Sequence, residues 1–213
     1  MSKIVIELQQ DALKSDFDIM SLLRKAYLVA KKLKLKEFEE WINNELNGYV
    51  DKGEVPKYRL LRGEIKLWNP YQGWIPVILK NENENITTHR VADSIANLLN
   101  VYENSTDKKA ILQFGARVNN LLSKSVDFNT KFALEIGTNQ IYNIIEHVRN
   151  IILDWSITLE ENGILGEGLQ FDEKEKDIAT NTPTINNYIN NFFGSVSETQ
   201  IQQDTKKSSQ NKN

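Results

Sequence analysis

Ile141, Ile144, Ile145, Val148, Ile151, Ile152, Trp155 and Leu159 recur at helical spacing over about five turns. No other feature of the 213-residue chain limits its fold as much. A stripe this long and apolar has to be covered by other elements, so it predicts a central core helix ending at Gly163. Each larger side chain buried there contributes ~1.5–3 kcal/mol relative to exposure.

Three shorter helices precede it. Ile4 to Leu13 places Val5, Leu8 and Ala12 on one face; a strand over Lys3–Leu8 is the alternative, since Ile4, Ile6 and Leu8 alternate. Ser15-Asp16-Phe17-Asp18 reads as a capping signal, with an acid three residues after the serine. The helix it opens carries Ile19, Leu22, Leu23, Ala26, Val29, Ala30 and Leu33 on a broad stripe, while Arg24, Lys25, Lys31 and Lys32 read as a solvated face. From Lys36 to Leu46, Phe38, Trp41, Ile42 and Leu46 face inward and Glu39, Glu40, Asn43 and Asn44 outward. Gly48 supplies the left-handed C-terminal cap.

The period then changes. Tyr58 to Trp68 is rich in strand formers with a break at Gly63, and Gly73 to Leu79 forms a second run around the turn Asn69-Pro70-Tyr71-Gln72. These predict a hairpin, with Pro76 confining its strand to an edge or bulge. Val91, Ile95, Leu98 and Leu99 mark a fourth helix with His89 at its start. Lys109 to Leu122 is ambiguous and leans to helix, whereas Lys131 to Gly137 alternates as a strand. Past Asp172 the composition turns polar: a mixed-charge run from Glu173 to Asp177, a linker at Thr180–Thr184, and a low-complexity end from Thr205. The expected fold class is α+β, mainly helical, with helices packed around a small, mostly antiparallel sheet. Residues 1–179 form the domain; residues 180–213 are a C-terminal extension of linker, strand-forming segment and polar tail.

The chain has no Cys, which excludes disulfides, zinc–thiolate sites, thiolate-held clusters and cysteine nucleophiles. Its formal net charge of -3 argues against broad phosphate binding. No apolar run approaches the ~20 residues of a membrane span, and Glu7 falls where a signal peptide needs apolar residues, so a cytoplasmic protein with no membrane partner is expected. There is no Gly-x-Ser-x-Gly, no phosphate-binding Gly-x-x-x-x-Gly-Lys-Ser/Thr and no Gly-x-Gly-x-x-Gly; Gly166-Glu167-Gly168 reads as a turn. Neither His89 nor His147 follows an Arg at the distance seen in HEPN-type ribonucleases; His147 reads as a surface or boundary residue and His89 as a surface or local hydrogen-bonding one.

Two chemical alternatives remain. A metal-dependent nuclease needs two or three carboxylates converging on Mg²⁺. Glu39, Glu40 and Glu45 are close in sequence, as are Glu160 and Glu161 with Asp154 before them, and Glu64-Ile65-Lys66 echoes the Glu-x-Lys of restriction nucleases. A nucleic-acid-binding regulator would use Tyr58, Arg59, Arg62, Lys66 and Trp68 around the hairpin; in one regular strand Tyr58, Leu60, Arg62, Glu64, Lys66 and Trp68 share parity, unless a bulge at Gly63 breaks the register.

Several separated blocks carry a resemblance. Glu37-Phe38-Glu39-Glu40-Trp41-Ile42-Asn43-Asn44-Glu45-Leu46-Asn47-Gly48-Tyr49, then Val55-Pro56-Lys57-Tyr58-Arg59, resemble the AbiTii domain of bacterial abortive-infection proteins. So do Leu22 to Ala26 with Val29 to Leu33, His147 to Trp155, Leu159 to Ile164, and Phe171 to Glu175, from about Lys3 to about Ala179. Gly194-Ser195-Val196-Ser197-Glu198-Thr199-Gln200-Ile201-Gln202-Gln203 is similar to tails found on several prokaryotic defence proteins. The resemblance implies phage defence by abortive infection. It brings no reaction, cofactor, metal or catalytic residue with it.

The reading favoured on these grounds is a sensor or protein-interaction module without its own catalysis. Interaction candidates are Glu40, Trp41, Asn44, Tyr58 and Arg59 within the blocks, and Val196, Gln200 and Ile201 in the tail. Expected partners are another protein, a phage component, or a second copy joined when the tail adds a strand to an open edge such as that near Pro76; nucleic acid is the less favoured partner.

Overall fold

The computed structural model describes residues 3–51, 55–77, 84–124, 126 and 130–190. The chain divides into two compact units, residues 1–46 with 149–213, and residues 47–148.

In the first unit, α1 (Ile4–Leu13) and α2 (Ile19–Lys32) form as their periodicity requires, and the strand alternative for Lys3–Leu8 falls away. All seven stripe residues of α2 and its flank, from Ile19 to Leu33, are buried. The capping residue is Asp18 rather than Ser15: its carboxylate accepts from the main-chain N–H groups of Met20 and Ser21. The serine signal was displaced by three residues because the acid itself sits at the boundary, where its charge also meets the helix dipole. Helix α3 (Lys36–Asn47) buries Phe38, Trp41, Ile42 and Glu45, with Leu46 only half-buried. Thus a glutamate takes the inward place expected for Leu46. The residues Arg149 to Glu161 of α7 (Thr138–Glu161) also belong to this unit, and Gly163 follows with φ +77°.

Phe38 stacks on Trp155 at 3.9 Å between centroids, with Trp41 and Tyr188 against other sides of its ring. The mixed-charge run folds as α8 (Glu173–Asn181), closed at its start by a reciprocal capping box between Asp172 and Glu175. Helix α8 runs into the stretch expected as a linker, and α9 (Pro183–Asn186) follows with proline in its first turn. Ile185, Tyr188 and Ile189 are buried, because their apolar spacing finds partners that composition alone did not reveal.

The second unit holds the sheets. The run Tyr58–Trp68 is not one strand. Lys57–Arg59 is a 3-10 turn, β1 (Leu60–Arg62) follows, and β2 (Glu64–Asn69) begins after Gly63. A Cβ at Gly63 would lie 2.4 Å from the Glu135 carbonyl oxygen, so only glycine allows the close passage that separates the two strands. Strand β3 (Gly73–Pro76) pairs antiparallel with β2, Trp68 opposite Trp74, as the hairpin reading requires. Asn69 closes the turn by accepting from the N–H groups of Tyr71 and Gln72.

After the short α4 (Glu84–Thr87), β4 (Thr88–Arg90) pairs with β1. His89 is therefore an exposed strand residue opposite Leu61; α5 (Ile95–Asn104) starts only at Ile95, capped by Ser94. The ambiguous run resolves into both states: β5 (Lys109–Gln113) and α6 (Ala116–Ser123), parted at Gly115. Pairing with β6 (Phe132–Gly137) decides the first half, since short apolar runs are set by tertiary partners. The main sheet is antiparallel throughout, in the order β3-β2-β6-β5. One face buries Ile65, Leu67, Ala110, Phe132, Leu134 and Ile136. The helix-rich α+β architecture agrees with the expected fold class.

Candidate interaction surface

The residue blocks quoted above gather in two places. In the second unit, Gly48 (φ +92°) turns the chain so that the Tyr49 N–H donates to the Ala92 carbonyl at 2.8 Å. A Cβ on Gly48 would stand 3.0 Å from that same oxygen. The Arg59 side chain, wholly buried, donates from Nη1 to the carbonyls of Asp93 (2.7 Å) and Val91 (3.3 Å) and lies 5.0 Å above the Tyr49 ring. Its own carbonyl accepts from the Val91 N–H at 3.0 Å. Arg59 thus ties two distant segments together immediately before Ser94, the cap of α5. Tyr58 is half-buried with its ring 4.5 Å from that of His147.

In the first unit, Trp41 is 4% exposed within the Phe38–Trp155 cluster; Glu40 is exposed and Asn44 half-buried. Of these five candidates, Tyr58 and Arg59 stand together, as do Glu40, Trp41 and Asn44 on α3. Val196, Gln200 and Ile201 lie outside the described residues.

The other face of the sheet is open at Glu64 and Trp68 and closed over Lys66 and Ala133. Trp68 (42% exposed) and Trp74 meet edge to face at 5.3 Å beside the hairpin turn, where Tyr71 is 96% exposed. Along the same face runs a charge chain: Lys66 Nζ bridges Glu64 (3.0 Å) and Glu135 (3.3 Å), and Lys109 Nζ reaches Glu135 at 2.9 Å. The hydrogen bond to Glu64 is the main reason that the Lys66 ammonium is held above its usual range. Burial opposes ionisation of Glu135, but Lys109 and Lys66 overcome it and hold this carboxyl below the usual range. The Glu64-Ile65-Lys66 echo is thus placed beside another acid, yet two carboxylates and two ammonium groups cancel. That leaves little net negative charge to attract a divalent cation.

Four other acids are occupied elsewhere and separately. Asp154 accepts from the Tyr188 hydroxyl, whose ionisation burial pushes far above its normal range. Glu160 accepts from Gln9 Nε2 at 2.8 Å, and Glu39 pairs with Lys31 at 3.2 Å. Glu175 accepts from the N–H groups of Leu165, Gly166 and Asp172 in a surface groove of about 820 Å³ that Phe171 and Lys32 also line. Among the described residues, no three His, Asp or Glu side chains stand together as metal ligands do. No described helix is long and apolar enough to cross a membrane.

Sequence reasoning passed over Glu135, Lys109 and Trp74. The alternation Phe132, Leu134, Ile136 already sends Glu135 to the opposite face, so that signal was present. Buried Glu45 could likewise be found from the spacing 38, 41, 42, 45.

No curated protein and no solved structure matches the chain. The AbiTii family matches residues 3–184, which takes in the second unit, most of the described part of the first, and the six described strands. The chain belongs to the AbiTii family, and with it to the proteins of abortive infection, a form of phage defence.

Proposed function

We propose that this chain serves abortive infection as a sensor or protein-interaction module without catalysis of its own. The observation that carries the reading is the separation of four acids off the sheet. Asp154, Glu160, Glu39 and Glu175 each satisfy a different partner in a different place. Bond breaking needs reactive groups to converge on one set of atoms. The exposed Trp68 and Tyr71 support recognition of a macromolecule, since large solvated aromatics beside one another mark interaction sites.

A second reading has one observation in its favour. Glu64, Lys66 and Glu135 gather on the open sheet face, so a nuclease centre would be sought there first. Phage challenge separates the two. Cells expressing the wild-type chain, or the Glu64→Gln/Glu135→Gln variant, are infected at high and low phage-to-cell ratios. The interaction reading expects both to protect equally at the low ratio. Loss of protection in a variant that remains folded, with wild-type circular dichroism and abundance, would favour the nuclease.

A further inference from the structure

The two edges of the main sheet are not equivalent. The Val77 N–H donates to the Ile65 carbonyl, which fixes the parity of the β2–β3 ladder. Trp74 and Pro76 therefore turn their main-chain groups outward, and Pro76 has no N–H to offer. On the other side, the Phe114 N–H donates to Phe132, in register with Gln113 opposite Ala133. Ala110 and Leu112 consequently bond to β6, while Lys109, Ile111 and Gln113 face away from it. The Lys109 N–H is taken by Thr106. Two N–H groups, of Ile111 and Gln113, and three carbonyls remain in a row on exposed residues, with no described partner. Edges are usually guarded by proline, a bulge or charged side chains; β3 carries Pro76, whereas β5 carries one charge, Lys109 at its start, and no proline.

We infer that the edge of β5 receives residues 200–204 of a second copy as an added antiparallel strand. This rests on the interaction reading and gives it a surface. The occupant belongs to the 23 residues that follow Asn190. Their root is held in place, since Tyr188 is buried and donates to Asp154. From Ser195 to Gln203 the segment has no proline or glycine and a single charge. One antiparallel register satisfies three pairs at once: Leu112 opposite Ile201, Lys109 opposite Asp204, and Gln113 opposite Gln200. In it Ile201 extends the apolar face beside half-buried Leu112, in a non-hydrogen-bonded pair where side chains approach most closely. Asp204 complements a lysine that is 55% exposed along its side chain. Among the described residues the Ile111 and Gln113 groups have no main-chain partner on this side, which leaves room for an added strand.

The absence of native cysteine makes the pairing directly testable. In this register Ala110 faces Gln203 in a non-hydrogen-bonded pair, whose Cα separation of about 4.5 Å suits a disulfide. Full-length Ala110→Cys protein is mixed with full-length Gln203→Cys protein and oxidised gently. A disulfide-linked heterodimer is expected, several-fold more abundant than with Gln202→Cys in place of Gln203→Cys. Equal yields from the two, no heterodimer, or cross-linking of an Ala110→Cys/Gln203→Cys double variant only within one chain would overturn the proposal. As a variant without engineered thiols, Ile201→Lys is expected to lower the solution mass by light scattering; an unchanged mass would overturn the proposal too. The interaction reading is judged separately, by the phage protection of the Glu64→Gln/Glu135→Gln variant, and can stand if the strand pairing fails.

Discussion

Replacing Arg59 by Met should cost the chain more stability than any surface substitution. The guanidinium is fully buried and holds the carbonyls of Asp93 and Val91 at 2.7 and 3.3 Å while covering the Tyr49 ring. Methionine keeps much of the volume but donates nothing. Hydrogen bonds from a charged group contribute ~1.5–3 kcal/mol each, and a buried carbonyl left unpaired adds its own desolvation cost, so the expected loss is about 3–5 kcal/mol. With a urea dependence of roughly 2 kcal/mol per molar, the unfolding midpoint should fall by about 2 M. Arg59→Lys should fall between, since an ammonium donates from one point and cannot lie flat over Tyr49. Urea titration followed by far-ultraviolet circular dichroism measures both. A midpoint for Arg59→Met within about 0.3 M of wild type, on the same urea dependence, would show that Arg59 does not tie the two segments together.

Gly48→Ala and Gly163→Ala both force alanine into a left-handed backbone, but only Gly48 meets a carbonyl at 3.0 Å. Gly163→Ala should cost about 1 kcal/mol and Gly48→Ala at least about twice that, and equal losses in urea would contradict the steric part of the reasoning. Trp155→Ala removes the ring stacked on Phe38 at 3.9 Å and should cost about 3–5 kcal/mol; a loss below about 1 kcal/mol would mean that the cluster collapses around the gap. The Ser21 hydroxyl, foremost among its donors, holds the Asp18 carboxyl below its ordinary range. A depressed carboxyl stabilises the fold above its unfolded pKa of about 3.9, and that share is lost as pH falls through the lower folded value. The stability gap between wild type and Asp18→Asn should therefore narrow from pH 6 to pH 2.5, and a constant gap would refute the assignment.

Helix existence was readable wherever apolar spacing was sustained. The stripes of α2 and α7 are buried at every position named for them, because a face that wide leaves one way to be covered. The hairpin turn at Asn69 was equally plain, since an asparagine side chain can close the turn within its own neighbourhood. What the residues hid depends on distant partners. Gly63 looked like a flaw in one strand, but it marks the passage of Glu135, a residue far along the chain. The Lys109–Leu122 run held two elements, and only pairing with β6 selects a strand for its first half. Arg59 read as an interaction candidate because nothing local announces that the carbonyls of Val91 and Asp93 will take its guanidinium inside the unit. At the open sheet face, Lys66 and Glu64 were legible as a motif, whereas Glu135 and Lys109 joined them only through strand register.

Incubation of the purified full-length chain with labelled RNA and DNA, in Mg²⁺ or Mn²⁺, tests most directly whether it works by docking. The account expects the nucleic acids to remain intact under conditions in which the same preparation protects cells from phage. Cleavage that Glu64→Gln or Glu135→Gln abolishes in a folded protein would contradict it.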